Sequence, residues 1–241
     1  PSHQSTGRGV ANSTPQAVSS MSTSSSTGVH SPTSGDASPS PRRTVEPEQP
    51  LIGVIWASDR DGVIGDGTRM PWHVPEDMAH FKQLTWGVPV IMGSATWSSI
   101  PSRFTPLPGR TNIVLSRHWS DEDTPEGVIL HHSLEAAFKD IPHPVFTRRV
   151  APENVDAWVI GGGEVYREAL ARPEVRLAVL TEIDAAVGHY FDSPVTARLS
   201  SEWVPSSRSE WKTSRNGTII GDGNDGRDTQ PLRYRFCYFS K

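Results

Sequence analysis

From Ile52 to Lys82 the chain reads IGVIWASDRDGVIGDGTRMPWHVPEDMAHFK, and this stretch is the most informative part of the sequence about the fold. It starts with an apolar run of strand length, passes through a charged loop with three glycines, and enters a helix at Pro75. Asp77 follows in the first turn of that helix, among aromatic neighbours such as Trp72 and Phe81. A carboxylate in such surroundings is suited to recognise a planar, nitrogen-rich ligand, and burial shifts its pKa, as happens at functional sites.

The chain divides into two parts of different composition. Residues 1–50 are rich in Ser, Thr, Pro and Gly and almost free of large apolar residues, so they cannot bury enough surface to offset the entropy of ordering. We therefore predict a disordered tail over 1–50 and a single domain over 51–241. Because residue 1 is a proline, we expect the sequence to begin after processing or within a longer chain, with Met21 as an alternative start.

The composition of the 241 residues limits the compartment and the partners. The net charge is −4 and the only cysteine is Cys237, so an internal disulfide is impossible and a reducing cytoplasm is favoured. No segment has the apolar length of a membrane span, no basic stripe indicates nucleic acid, and no Cys/His cluster has metal-ligand spacing. We predict a cytoplasmic protein without membrane, nucleic-acid or metal partners, and a transit segment in the tail is the open alternative.

Short apolar runs alternate with helix signals along the rest of the chain. Helices are predicted to begin at Pro75, at Gly93-Ser94, after Ser133 and after the glycines at 161–163. Strands are predicted at residues 51–57, 88–92, 111–115, 127–130, 157–160, 175–183, near 202–213 and 232–239, with a mobile loop at 59–69 and a long connection at 141–156. This order is typical of an α/β fold with a mostly parallel sheet, helices on both faces and an antiparallel edge.

Glycine turns at two of the predicted helix starts indicate a phosphate site. Gly161 to Gly163 follows a buried strand, Gly93 to Thr96 repeats the arrangement, and Ser116-Arg117 follows a third strand. Such turns expose backbone N–H groups at the positive end of a helix dipole, which predicts a crevice for a phosphorylated nucleotide at the strand ends. Taken singly, the glycine turn is equally typical of a tight connection without a ligand, and Arg117 of a solvated charge.

Two charged residues have both a structural and a functional interpretation. An aspartate at the position of Asp77 usually only complements the helix dipole, and the apolar wall around it is what favours a ligand. Arg110 follows Pro108-Gly109 and is either an ordinary surface arginine or a partner for a ligand carboxylate at the cleft mouth. The histidines 80, 131 and 132 show no metal spacing and are interpreted as surface or structural residues.

The chain resembles dihydrofolate reductase over nearly all of Leu51 to Lys241. The matching motifs stand in family order: DGVIG at 61–65, MPWHVPEDMAHFK at 70–82, VIMG at 90–93, PLPGRTN at 106–112, VIGGGEVY at 159–166, LTEID at 180–184 and LRYRF at 232–236. Several of these pieces are weak alone, but their order and spacing together are highly specific. The combination is most similar to the bacterial, actinobacterial-type enzymes.

The resemblance implies an eight-stranded mixed sheet with four helices and the NADPH-dependent reduction of 7,8-dihydrofolate to tetrahydrofolate. In that reaction hydride passes from nicotinamide C4 to pterin C6, and N5 takes a proton from water. Asp77 falls on the family's pocket acid, which binds the pterin N3–H and 2-amino group and favours the N5-protonated ring. Thr181 would hydrogen-bond that acid and orient a water, which Trp72 would help to hold.

The resemblance also implies the binding residues. Arg110 would pair with the glutamate α-carboxylate of the substrate. The pterin and aminobenzoyl pocket would be lined by Ile55, Ala57, Phe81, Ile100, Leu107, Ile160 and Tyr166. The cofactor would be held by Ala57, Ile64, Gly65, Met70, Gly93, Ser94, Thr96, Leu115, Ser116, Arg117, Gly161, Gly162, Gly163, Glu164 and Val165. The loop 65–70 would close over the nicotinamide, and the Gly161-Gly162 bond is expected to be cis.

The sequence departs from the family pattern in the cofactor clamp. Many bacterial relatives carry Arg where Ser94 stands, so Ser94, Ser116 and Arg117 would hold the 2′-phosphate that distinguishes NADPH from NADH. The loop Gly188 to Phe191 is also shorter than in relatives, and neither the tail nor the 141–155 insertion has a functional interpretation.

Two other functions are alternatives to the reductase: a riboflavin-pathway reductase of the same architecture and a folate- or nucleotide-binding module without catalysis. The set of Trp72, Asp77, Phe81 and Arg110 argues against the riboflavin-pathway reductase, and the glycine turns with the pocket acid argue against the binding module. The resemblance implies a monomer that binds dihydrofolate and antifolates.

Overall fold

The computed structural model describes residues 50–142, 155–219 and 231–241. The tail predicted to be disordered, most of the 141–155 insertion and the glycine-rich stretch 221–226 lie outside the described residues. The predicted boundary between tail and domain therefore stays a prediction.

The helices begin where the sequence signals them. They are α1 (Pro75–Thr85), α2 (Ser94–Ser99), α3 (Leu134–Lys139) and α4 (Gly163–Leu170), with single 3-10 turns at Ser102–Phe104, Asp121–Asp123 and Gly188–Tyr190. Proline is tolerated at the first position of α1 because the first helical N–H groups have no partner within the helix. Ser133 caps α3, as predicted, by accepting a hydrogen bond from the Ala136 N–H at 3.1 Å.

Thirteen strands occur in the described part of the chain. They are β1 (Ile52–Ser58), β2 (Val63–Gly65), β3 (Trp72–His73), β4 (Val90–Gly93), β5 (Asn112–Leu115), β6 (Val128–His131), β7 (Ala157–Gly161), β8 (Val175–Ile183), β9 (Val195–Thr196), β10 (Val204–Arg208), β11 (Lys212–Thr213), β12 (Thr218–Ile219) and β13 (Arg233–Ser240). The prediction of β8 matches both of its ends, and the other predicted strands differ by at most two residues at either end, except the one near 202–213.

The main sheet has the order β10-β13-β8-β1-β7-β4-β5-β6, and β11 adds a ninth strand beside β13. The pairs from β8 to β6 are all parallel, whereas β13 is antiparallel to β8 and to β10. The mostly parallel sheet and its antiparallel edge are confirmed. The strand predicted near 202–213 is broken into β10 and β11, because at the break the Ser209 hydroxyl accepts the Phe236 N–H at 3.0 Å.

Two small sheets were not predicted. Within the predicted loop 59–69, β2 pairs antiparallel with β9, so the loop assignment is wrong for residues 63–65. Likewise β3 pairs with β12, which aligns Trp72 with Ile219. Strands of two or three residues are too short to show the alternation that identifies a strand in a sequence.

Helices cover both faces of the main sheet, as predicted. One face packs against residues of α3 and α4, such as Phe138 and Tyr166, and the other against Leu84 of α1 and Trp97 of α2. At Gly53 of β1 a Cβ atom would lie 2.5 Å from the Trp158 ring, so only glycine fits there. The parallel strands all end at the same edge of the sheet, which is where ligands bind in this class of fold.

Candidate active site

Asp77 lies at the centre of the candidate site, in the first turn of α1. Its carboxylate accepts a hydrogen bond from the hydroxyl of Thr181, which is 1% exposed on β8. Burial raises the pKa of Asp77 from 3.8 to about 6, and the bond from Thr181 acts in the opposite direction. At neutral pH this carboxyl is therefore ionised in most molecules, in surroundings that penalise its charge.

Two aromatic residues with polar atoms lie in this region. Trp72 is 2% exposed, and its indole N–H has no hydrogen-bond partner among the residues that the structure describes. Tyr166 of α4 is buried and donates its hydroxyl proton to the Ile55 carbonyl oxygen at 3.0 Å. Burial, with a smaller contribution from the Asp77 charge, raises the pKa of Tyr166, so the phenol stays protonated.

Five of the seven predicted pocket-lining residues come together on one face of the main sheet, whereas Ala57 and Tyr166 belong to other clusters. A single apolar cluster, built around Leu84 and Trp97, contains five of them: Ile55, Phe81, Ile100, Leu107 and Ile160. Four of the five are only partly buried, which is the exposure expected of a pocket wall rather than of a closed core. Ala57 belongs instead to the adjoining cluster, together with Trp72.

Arg110 is partly buried and is held by neutral groups. Its Nε donates to Thr85 Oγ1 at 2.9 Å and its Nη1 to the Pro108 carbonyl at 3.1 Å. The guanidinium carbon lies 5.6 Å from the centre of the Phe81 ring and 5.7 Å from that of Trp86. Burial lowers the pKa of Arg110, although an arginine stays protonated in proteins.

No acidic side chain forms an ion pair with Arg110 in the described ranges. The guanidinium is therefore able to bind the carboxylate of a ligand. Asn112 positions the segment before Arg110. Its buried side chain accepts the Leu107 N–H at 2.9 Å and donates to the Leu107 and Arg110 carbonyl oxygens.

Two helix N-termini meet at the ends of β4 and β7. Neither Gly93 nor Gly162, the residues that precede α2 and α4, supplies a side-chain cap, so first-turn N–H groups remain available to an anion. A Cβ atom on Gly162 would lie 3.0 Å from Thr96 Oγ1, and one on Gly93 would lie 3.3 Å from Val165 Cγ2. The glycines thus allow the two helix starts to approach closely, and the Gly161-Gly162 bond is cis, as the resemblance implies.

The remaining predicted cofactor residues differ in burial and in their distance along the chain from the strand ends beside the α2 and α4 N-termini. Leu115 pairs with Gly93 in the β4–β5 register, which places Ser94 and Ser116 one residue beyond paired strand ends. Ser116 is buried and accepts the N–H groups of His118 and Trp119. Arg117 and Glu164 are exposed, and Met70, at 45% exposure, belongs to no core cluster in the described residues.

Several residues that shape the site were missed by sequence reasoning. Glu76, interpreted only as a first-turn acid, accepts the Ser214 hydroxyl at 2.6 Å and the Arg215 N–H at 3.1 Å. Thr85 orients Arg110, and Asp59 binds three backbone N–H groups. All of these contacts except those within the Asp59 turn join residues more than twenty positions apart, so no local pattern could have shown them.

The described ranges contain no group of three His, Cys, Asp or Glu residues able to hold a metal ion. Within the same ranges no helix has both the length and the apolar character needed to cross a membrane. His80, interpreted as structural, stacks on Phe236 with ring centres 3.9 Å apart.

Comparison with known proteins places this site in a family. The family model described as dihydrofolate reductase matches residues 51–219. The dihydrofolate reductase of Mycobacterium leprae is 41% identical over 167 residues, which cover 69% of this chain and 92% of that protein. The enzymes of Mycobacterium tuberculosis and Neisseria meningitidis serogroup A are 38% and 36% identical over the same coverage.

A mixed sheet with helix N-termini at its carboxyl edge and a buried acid beside an apolar cleft is typical of α/β proteins that bind a nucleotide and a small organic ligand at that edge. Within that class, the matched residues show that the chain belongs to the dihydrofolate reductase family. It is an enzyme that reduces dihydrofolate to tetrahydrofolate, as the resemblance predicts.

Proposed function

We propose that Asp77 binds the pterin ring of dihydrofolate directly and that Thr181 fixes the orientation of its carboxylate. An ionised carboxylate has about four acceptor positions, and the described residues supply one side-chain donor, Thr181. The free positions match the two adjacent N–H donors of the pterin edge, N3–H and the 2-amino group. The raised pKa supports this role, because a partner bearing donors recovers the free energy that burial costs the anion.

The negative charge of Asp77 also favours protonation of the substrate at N5. A fixed anion in a site of low dielectric stabilises a developing cation more than water does. Asp77 performs this role without contacting N5. The free indole N–H of Trp72 is a donor suited to a water molecule beside the acid, and such a water would carry the proton.

Arg110 is proposed to bind the glutamate α-carboxylate of the substrate. Its bonds to Thr85 and Pro108 use the Nε and Nη1 atoms and leave Nη2 without a partner in the described residues. A partly buried guanidinium held by neutral acceptors forms a charge-assisted bond with an incoming carboxylate without first breaking an ion pair. The apolar wall of Phe81, Ile100 and Leu107 would contact the aminobenzoyl group between the two charged ends.

The cofactor is proposed to be NADPH, which supplies the hydride when bound. The N-termini of α2 and α4 would bind its phosphates through backbone N–H groups, and Thr96 lies between them. Ser94, Ser116 and Arg117 would bind the 2′-phosphate, since all three lie at adjacent strand ends. Ile64, Gly65 and Met70 would cover the nicotinamide and exclude water.

Further proposals concern the assembly, the tail and the compartment. The chain is proposed to act as a monomer, as the resemblance implies, and none of the proposed site roles requires a residue from a second copy. The catalytic domain covers 51–241, and the tail contributes nothing to the chemistry. The buried free thiol of Cys237 supports a reducing cytoplasm, and the binding of dihydrofolate implies binding of antifolate ring systems of the same shape.

One observation carries the proposal: a buried acid of raised pKa, held by Thr181 at the end of an apolar cleft. The test is steady-state reduction of dihydrofolate with NADPH and with NADH in parallel, followed by the fall in nicotinamide absorbance. We expect turnover with both and a lower KM for NADPH. An absence of turnover with either cofactor contradicts the proposed function, and equal KM values contradict the proposed 2′-phosphate clamp alone.

A further inference from the structure

A second buried carboxylate, Asp59, is held in a different way from Asp77. It follows the last residue of β1 and is 2% exposed. Its Oδ1 accepts the N–H groups of Asp61 at 2.9 Å and Val63 at 2.8 Å, and its Oδ2 accepts the Val187 N–H at 2.8 Å. We call these four residues the Asp59 joint. Among the described residues no cation forms an ion pair with Asp59, so backbone N–H groups alone compensate its charge.

The joint connects two segments that are far apart in sequence. The first segment, 59–63, turns back on itself, because the Asp59 N–H also donates to the Val63 carbonyl at 3.0 Å. The second follows β8 and contains Val187. The neighbouring Arg60 repeats the connection: its N–H donates to the Ala185 carbonyl at 3.1 Å and its Nε to Asp184 at 2.7 Å. The Arg60 bridge is exposed and contributes little, whereas the bonds to Asp59 are buried and charge-assisted.

The segment that follows Val63 of the Asp59 joint lies at the candidate cofactor site. Val63 opens β2, and the next residue, Ile64, directs its Cδ1 to 3.9 Å from the Cβ position of Gly163, at the start of α4. Gly65 has a φ of +145°, and a Cβ atom there would lie 2.2 Å from the Arg69 carbonyl oxygen. The chain after β2 is therefore folded tightly back, and its position depends on where Val63 is held.

The segment that contains Val187 is connected through β8 to Asp77, the proposed pterin-binding acid. Val187 lies four residues after the end of β8, the strand that carries Thr181, the hydrogen-bond partner of Asp77. The Asp59 joint thus fixes the segment facing the cofactor site relative to the strand that orients the substrate-binding acid. Hydride transfer requires the two reactants to be placed within a fraction of an ångström, so such a fixed relation affects the rate.

We propose that Asp59 is a positioning residue for hydride transfer. It touches neither reactant, and it acts by holding residues 63–65 and the loop to Met70 over the cofactor site through its bond to Val187. This role rests on the proposed function, since it presupposes that the α4 N-terminus and Ile64 face the nicotinamide cofactor.

Asp59→Asn separates the two halves of the joint. One amide oxygen continues to accept from Asp61 and Val63, while the amide NH2 group faces the Val187 N–H and cannot accept from it. The turn is retained and the connection to Val187 is lost. The control is Leu134→Ala, which removes buried apolar contacts from α3, on the opposite face of the sheet from the apolar wall of the site.

Three measurements on the full chain test the proposal: amide hydrogen exchange without ligands, the Kd of dihydrofolate from tryptophan fluorescence, and single-turnover hydride transfer from NADPH with its deuterium isotope effect. For Asp59→Asn we expect faster exchange at Val187 than at Val63, a Kd within about twofold of the parent, and hydride transfer slower by about tenfold or more. Leu134→Ala should transfer hydride at the parental rate.

Each contrary result has a distinct meaning. Parental hydride transfer in an Asp59→Asn protein whose Val187 amide exchanges faster overturns the positioning role. A loss of dihydrofolate affinity in Asp59→Asn equal to the loss in hydride-transfer rate also overturns it. Equal slowing of hydride transfer by Leu134→Ala overturns it too, because both results indicate a general loss of structural order rather than the loss of one connection. If the parent protein itself fails to reduce dihydrofolate, the proposed function fails, and the exchange data still report whether Asp59 connects the two segments.

Discussion

Two buried carboxylates near the neighbouring strands β1 and β8 are compensated in different ways. Asp59, after β1, receives three backbone N–H bonds and serves the chain itself. Asp77, held against β8, receives one side-chain bond, and its pKa is raised to about 6 by burial. Backbone N–H groups compensate the charge of Asp59, whereas Thr181 is the one side-chain donor to Asp77 among the described residues, so burial of the Asp77 charge costs stability. A buried charge that the protein does not itself compensate marks the place where a ligand does so.

The most severe test of this comparison is the activity of Asp77→Asn. The amide has nearly the same shape but carries no charge and offers only one acceptor, so we expect turnover to fall by about 100- to 1000-fold at neutral pH. The measurement is kcat with saturating dihydrofolate and NADPH. A kcat within a few-fold of the parent would remove Asp77 from the site and end the comparison.

Substitutions of the two aspartates should change the free energy of unfolding in opposite directions. Because burial raises the pKa of Asp77 from 3.8 to about 6, ionising it in the folded protein costs roughly 3 kcal/mol, and Asp77→Asn should therefore stabilise the fold by about 1–3 kcal/mol at neutral pH. Asp59→Ala leaves three N–H groups without an acceptor and should destabilise it by about 2–4 kcal/mol. Urea unfolding measures both, and shifts of the same sign would contradict the proposed contrast.

The difference in stability between the parent and Asp77→Asn should depend on pH. The Asp77 carboxyl is protonated in both states below about pH 4, so there Asp77→Asn and the parent should differ little in stability. Between about pH 4 and 6 the unfolded chain loses this proton while the folded protein retains it, so the parent loses stability relative to the variant as the pH rises. Above that window the difference is constant. A difference that does not vary across these pH values would mean that the pKa of Asp77 is not raised.

The smallest expected effect concerns Arg110, at the other end of the cleft. Arg110→Gln removes the charge for the substrate carboxylate and should raise the KM for dihydrofolate by about tenfold, with kcat changed much less, because this contact is the same in the ground and transition states. Arg110→Lys is the matched control and should recover part of the affinity, since it restores a charge without the bidentate geometry. A fall in kcat of the same size would place Arg110 near the reacting atoms.

The sequence predicted those parts of the molecule whose signals are local. Pro75 marks the start of α1, Ser133 the cap of α3, and the glycines at 161–163 the start of α4, because each signal lies within a few residues of what it specifies. The strands β1, β4, β5 and β7 were found for the same reason, since each lies in a mostly apolar run. The short pairs β2–β9 and β3–β12 were not, because neither strand of either pair has a pattern of its own.

The residues of the candidate site likewise fall into those with a local sequence signal and those that depend on long-range contacts. Asp77, Phe81 and Arg110 could be proposed from motifs, because proline, aromatic and acidic residues at that spacing are informative alone and more so together. The bonds of Thr85 to Arg110 and of Asp59 to Val187 could not, because 25 and 128 positions separate the partners. Asp59 appeared in the sequence as one more charge in a glycine-containing loop.

From the sequence alone followed the order of the helices and of the longer strands, the family, and the prediction that Asp77 is the acid that binds the substrate, since these depend on side-chain chemistry and local backbone preference. Only the tertiary structure decided which buried charge is compensated by the chain and which is not. That difference depends on the direction in which distant N–H and hydroxyl groups point, and folding sets this direction when it brings β8 beside β1.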